Sequence, residues 1–375
     1  MHIKKIMVID LKKDNLILFN IRGRIAAVIL VLVLALSLAS CAEEEEPEET
    51  TEEVTSVYTE PPVTTQPTTA KPTQAPTTTA PVTTAPPTTV PVETKPPFDP
   101  YEEDTEYDIG SDWFERQSDT DYGTLITDVE YFSTTADDYK RFNILLPPGY
   151  DQNKKYPVMY MIHGWGADYT AHVHTGSYLH MLYGNLLREK KTVPMIIVGV
   201  DMYTAKQEAK DENDGWHMRY SYDKVADDIV VDLMPYISEH YAVAEGRLNT
   251  AVAGVSEGGA RSLCTGFKWS DRFGYIASIS PDGNAIAMTD NYNRSYWTVP
   301  YFEDGFPVPA EENKPKYIYL AVGSKDPWNI SFTQRYSEIF SDMGIGNRYD
   351  YVEGYGHDSE FWGVCMYNFL QRIFK

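Results

Sequence analysis

The chain is poor in cysteine, in positive charge and in long apolar runs, and each shortage excludes something. Three cysteines in 375 residues, Cys41, Cys264 and Cys365, supply neither a disulfide framework nor a zinc-ligand spacing. Lysine and arginine number 32 against 55 acidic residues, for a net charge of −23. With no basic cluster in the body of the chain, nucleic acid is not an expected partner. The longest apolar run, Ile25 to Ala39, has the length of a signal core and is short for a membrane span. Between Glu43 and about Asp104 large apolar side chains are almost missing, so that stretch cannot bury enough surface to offset the entropy of ordering.

What is present divides the chain into three parts. Residues 1–41 read as an export signal. Lys4, Lys5, Lys12, Lys13, Arg22 and Arg24 precede the apolar run, and the leader is long enough for either Met1 or Met7 to begin it. Leu38-Ala39-Ser40-Cys41 closes it and resembles a bacterial lipobox, in which the cysteine becomes the lipid-carrying N-terminus. An ordinary cleaved signal or an uncleaved anchor are the alternatives. Residues 42–106 read as a disordered stalk, a glutamate run followed by Thr-Pro repeats such as Pro86-Pro87-Thr88-Thr89. About 55 such residues in polyproline II, at ~3.1 Å each, reach on the order of 170 Å. The protein is therefore expected at the outer face of a bacterial membrane, anchored through Cys41 or secreted, with no other membrane contact.

Residues 107–375 have the composition of one globular domain. Apolar β-like runs occur at Val129–Ser133, Phe142–Leu146, Val158–Ile162, Met195–Val200, Thr250–Val255, Tyr275–Ser280, Tyr317–Val322 and Tyr349–Glu353. Helix-like runs lie at Tyr178–Lys190, Lys224–Tyr241, Glu257–Lys268, Thr333–Met343 and Phe361–Phe374. Several strands are continuously apolar, as in a sheet covered on both faces. The alternation predicts an α/β fold, a three-layer sandwich with a mostly parallel sheet and helices on both sides. Cys264 and Cys365 each fall in an apolar helical run and are expected as separate buried thiols.

Gly254-Val255-Ser256-Glu257-Gly258 follows one predicted strand and opens a predicted helix. In that setting Gly-x-Ser-x-Gly is a nucleophile elbow, where glycine removes Cβ clashes and the serine hydroxyl stands above the sheet edge. Asp326 and His357 follow, each just after a strand, and Ser, Asp, His is the order of the α/β-hydrolase triad. Ser256 is the expected nucleophile, His357 the base and Asp326 the acid, with Asp358 and Asp282 as rival acids. The loop His163-Gly164-Trp165-Gly166 is expected to lend the backbone N–H of Trp165 to an oxyanion hole, completed by the N–H of Glu257. His163 itself reads as a packing residue. His172-Val173-His174 would chelate a metal from a strand, but no further ligand pattern completes a site, so no metal and no cofactor is expected.

Arg141-Phe142-Asn143-Ile144-Leu145-Leu146-Pro147-Pro148-Gly149-Tyr150, Lys155-Tyr156-Pro157-Val158, Phe273-Gly274-Tyr275-Ile276 and Gly356-His357-Asp358-Ser359-Glu360-Phe361-Trp362 resemble the feruloyl and acetyl-xylan esterases, esterase D-like α/β hydrolases. The resemblance is collinear from about Gly123 to Phe374. It implies a metal-free serine mechanism on Ser256, Asp326 and His357, and an ester-substituted polysaccharide such as xylan as substrate. Acyl transfer, siderophore-ester hydrolysis on the same triad, or a silent stalked carbohydrate-binding module are the other readings. Trp216, Trp297 and Trp328 are candidates for lining the substrate. The stretch 284–314, with Tyr292, Tyr296, Trp297, Tyr301 and Phe302, matches nothing in the family and reads as a substrate cover or a surface loop. Glu257 stands where the family often has methionine. Its side chain is expected either to face the pocket or, more mildly, to face solvent at the helix N-terminus.

Overall fold

A computed structural model describes residues 98–205, 222–287 and 300–375, all within one compact unit, Val90–Lys375. The expected signal, Cys41 and most of the stalk lie outside the described residues. Eight strands form one sheet: β1 (Thr124–Ser133), β2 (Asp138–Leu146), β3 (Val158–Ile162), β4 (Ile196–Val200), β5 (Thr250–Val255), β6 (Tyr275–Ile279), β7 (Tyr317–Gly323) and β8 (Arg348–Val352). Their spatial order is β1-β2-β4-β3-β5-β6-β7-β8. β1 and β2 form an antiparallel hairpin and β2 meets β4 antiparallel. All other neighbours are parallel, so the carboxyl ends of β3 to β8 share one lip.

Side-chain alternation explains the layers. In β3, Val158, Tyr160 and Ile162 pack into one core, and Met159 and Met161 into the other. The first core is closed by α2, α3 (Glu257–Lys268) and α4 (Ile330–Asp342); α2 runs through Val225–Asp227, a π-helical turn at Asp228–Leu233, and Met234–His240. The second is closed by α1 (Tyr178–Arg188) and α5 (Ser359–Leu370). The chain is thus an α/β sandwich of the expected class. Cys264 and Cys365 are both free and buried, in cores on opposite sides of the sheet. Among the described residues no helix is long and apolar enough to cross a membrane.

Two boundaries differ from expectation. β1 starts at Thr124 because Thr124–Ile126 pair with Ile144–Leu146 of β2, and β2 starts before its apolar segment because Lys140, a polar break in sequence, is buried and ion-paired to Asp228 at 2.5 Å. Tyr131 also donates to that carboxylate, at 2.8 Å. The domain also begins before Tyr107. Residues 98–106, assigned above to the stalk, are strapped to the amino ends of β7 and β8 and to α5. Tyr101 donates to the Gly346 carbonyl and accepts from the Ile318 N–H, while Asn368 brackets Glu106 through both its amide atoms. Arg348 and Arg372 hold the carbonyl of Glu103. The stretch looked solvated because it is acidic, yet several of its backbone groups are bonded to the domain and Glu106 also accepts from the Tyr367 hydroxyl.

Candidate active site

Ser256 sits between β5 and α3 with φ 57° and ψ −125°, a backbone conformation that costs free energy and persists only when the surroundings enforce it. Its N–H donates to the Ile279 carbonyl at 2.9 Å, and its carbonyl accepts from Gly259, Ala260 and Asp282. The flanking glycines are required by contact. A Cβ on Gly254 would strike the Gly258 carbonyl, and one on Gly258 would strike the carbonyls of Ile162 and His163. Backbone oxygens cannot move aside as a flexible side chain would. The loop after β3 therefore lies directly on the elbow, and a Cβ on Gly164 would be 3.5 Å from that of Ser256.

Two strands along the same lip, Asp326 follows β7 and His357 follows β8. His357 Nδ1 donates to Asp326 Oδ2 at 2.7 Å. Burial pushes the Asp326 carboxyl up, but the His357 hydrogen bond and charge outweigh it, holding the group below the usual carboxylate range. Asn329 was not foreseen: its Nδ2 donates to the Ser280 carbonyl at 2.9 Å and lies 3.2 Å from His357 Nδ1, tying β6 to this pair. The rival acids are otherwise engaged. Asp358 caps α5 by accepting from the Phe361 N–H at 3.0 Å, and Asp282 Oδ1 accepts from the Gly283 N–H. The Ser256 hydroxyl makes no hydrogen bond among the described residues. Catalytic contacts of this kind commonly close only when substrate binds.

His163 is buried and packs the loop, as expected. Its Nε2 accepts from the Met202 N–H at 3.0 Å, so Nδ1 carries the proton and donates to the Gly164 carbonyl. Trp165 packs edge-on against Tyr222, whose hydroxyl receives the Gly166 N–H. Glu257 departs from both readings of its side chain. It faces neither pocket nor solvent but is fully buried, accepting from Arg261 Nε at 2.8 Å and from Asn284 Nδ2. Its N–H, the first in α3, has no carbonyl four residues back to bind within the helix.

His172 and His174 do not share a face. His174 is exposed, whereas His172 is buried between Tyr178 and Trp362. Trp362 also meets the His357 ring edge-on, with centroids 5.7 Å apart. Burial, with smaller contributions from His163 and His174, pushes the His172 pKa down to about 3. Above about pH 6.5 the imidazole is neutral in folded and unfolded chains alike. Between pH 6.5 and 3 only the unfolded chain takes up the proton, so stability falls on acidification by about 1.4 kcal/mol per unit. His172→Phe should remove this slope. Denaturant unfolding at pH 7 and pH 4.5 should show the native protein losing about 3 kcal/mol more than the variant; equal losses would acquit His172.

Trp328 is 62 % exposed beside Asp326, a placement open to a ligand. Trp216 and Trp297 lie outside the described residues, as do Tyr292 and Tyr296. Of the stretch 284–314, Tyr301 and Phe302 pack on the first core and Asn284 on Glu257. Arg261 was detectable as an acid–base pair four residues apart with Glu257. Trp362 lies five residues beyond His357 and carried no signal except its place in the resemblance.

Residues 133–372 match the family model described as "Putative esterase". Over 270 residues the chain is 25 % identical to an endo-1,4-beta-xylanase/feruloyl esterase of Xylanibacter ruminicola, covering 70 % of this chain but about a third, 33 %, of that protein. It is similar to the CE1 ferulic acid esterase of Anaeromyces mucronatus, with 27 % identity and a TM-score of 0.63 over 72 % of this chain and 98 % of that one. The same fungal enzyme in complex with ferulic acid gives 28 % identity and a TM-score of 0.61, over 73 % and 98 %. With its sheet order, its strained serine elbow and these relatives, the chain belongs to the esterase family of α/β hydrolases related to CE1-type feruloyl and acetyl-xylan esterases.

Proposed function

We propose that this enzyme is a cell-surface serine esterase that removes feruloyl or acetyl groups from plant cell-wall xylan through an acyl-enzyme. The observation that carries the mechanism is the 2.7 Å bond from His357 Nδ1 to buried Asp326, on the lip that holds Ser256. With Nδ1–H committed to Asp326, Nε2 is the nitrogen left to accept the Ser256 proton as Oγ attacks the ester carbonyl. Asp326 stabilises the imidazolium, and the oxyanion accepts from the N–H groups of Trp165 and Glu257, each worth about 3–4 kcal/mol of barrier. The imidazolium then protonates the departing sugar oxygen as its bond to the acyl carbon breaks, releasing the sugar as an alcohol. Water enters along the same path and releases the acid. No step requires a cofactor.

Relatives named for feruloyl ester cleavage, one of them holding ferulic acid, support the acyl group. The export signal, Cys41 and the Thr-Pro stalk suit a polymer that cannot enter a cell. Incubation with a fluorophosphonate should place one adduct, located by peptide mass, on Ser256. Methyl ferulate or acetylated xylan should be hydrolysed by the untreated enzyme and not by the labelled one. A folded protein that takes no adduct is not a serine esterase; cleavage of a short thioester alone would move the substrate class.

A further inference from the structure

We propose that the Glu257 side chain, clamped by Arg261 and Asn284, is a positioning residue that aims the Glu257 N–H at the oxyanion. This rests on the serine-esterase reading above.

Glu257 directly follows the nucleophile, and negative charge there opposes the charge that develops in the transition state. An acid at this position is tolerable only if it is neutralised. Arg261 does so one helical turn on, and both side chains are fully buried. The clamp does more than cancel charge. Asn284 Nδ2 lies 2.9 Å from Oε1 and 2.7 Å from Oε2, so the carboxylate is tied in two directions, along α3 and across to the segment after β6.

That segment is itself fixed. Its Asp282 N–H donates to the Ser256 carbonyl at 3.2 Å. Tyr336 of α4 accepts from the Ala285 N–H and donates to the Asp282 carbonyl. The Asn284 carbonyl accepts from the Tyr301 N–H. Residues 282–285 therefore grip the elbow twice, through the backbone of Ser256 and through the side chain of Glu257. On the far side the Arg261 guanidinium lies 3.4 Å from Asp223 and over the Tyr301 ring. Rotation of the first turn of α3 would break the Glu257 bonds to Asn284 and disturb the Arg261 contacts together. The N–H of its first residue is held in one direction, as an oxyanion donor must be.

Glu257→Gln loosens the clamp and keeps the volume. It should lower kcat by about 10- to 100-fold on a soluble p-nitrophenyl ester, with KM within about twofold. Affinity for a boronate transition-state analogue should fall by the same factor as kcat/KM. A purely structural role would not produce that match. Asn284→Ala cuts the cross-strut while leaving the ion pair whole, so it strands no buried charge and keeps a readout if Glu257→Gln does not fold. It should lower kcat about tenfold with the same split. Native or raised kcat in either folded variant overturns the proposal, as does a loss confined to KM. A native enzyme without ester turnover is a different result and sinks the esterase reading instead.

Discussion

Ser256→Ala is expected to lower kcat for ester hydrolysis by about a millionfold. In the proposed mechanism the hydroxyl is the bond-forming group, and among the described residues neither His163, buried in the loop, nor Cys264, buried in the core, replaces it. What survives is the catalysis that the oxyanion donors and substrate binding provide alone, about 10³–10⁴ over water in comparable triads. The fold should not change. Alanine carries the same Cβ into the same strained backbone, and the lost hydroxyl has no hydrogen bond among the described residues. Unfolding free energy should stay within about 0.5 kcal/mol. Methyl ferulate assays beside urea melts measure both quantities, and a folded variant that still turns over at the native rate leaves Ser256 with no part in the chemistry.

Asp326→Asn is expected to cost about 10⁴-fold in kcat at neutral pH. The loss comes from a hydrogen on the wrong atom. Asp326 accepts the Nδ1 proton at 2.7 Å, which fixes Nε2 as the unprotonated nitrogen. An amide NH₂ in that place donates instead, so the proton moves to Nε2, which can no longer take one from serine. The low pKa of Asp326 keeps it ionised throughout the range where the base works. Asp358→Asn is the control: it touches the cap of α5 and should leave kcat within a few fold, because asparagine caps a helix about as well. The reverse pattern would transfer the acid role to Asp358.

The middle of the sheet was legible because strands such as β3 and β4 are apolar without interruption. Val158 to Ile162 is buried along its whole length, and no other element explains five such residues between turn signals. The serine elbow was legible for a similar reason: the glycines are dictated by backbone atoms close in sequence or in the neighbouring loop. What escaped was whatever depends on a partner far along the chain. Nothing near Lys140 announces Asp228, so β2 looked shorter than it is. Nothing near Glu257 announces Asn284, 27 residues on, so the acid was assigned to pocket or solvent. The strap at 98–106 looked like stalk because its hold on the domain runs through backbone carbonyls and two arginines, which composition does not register.

That strap fixes where residue 98 lies. Tyr101 lies against Ile318 and Gly346, at the foot of β7 and β8, and the Lys375 ammonium lies 5.5 Å from the Phe98 ring. Phe98 and Lys375 therefore lie together at the amino ends of these strands, the pole opposite Ser256. A bulky polymer reaching Ser256 approaches the end of the sheet remote from both Phe98 and Lys375.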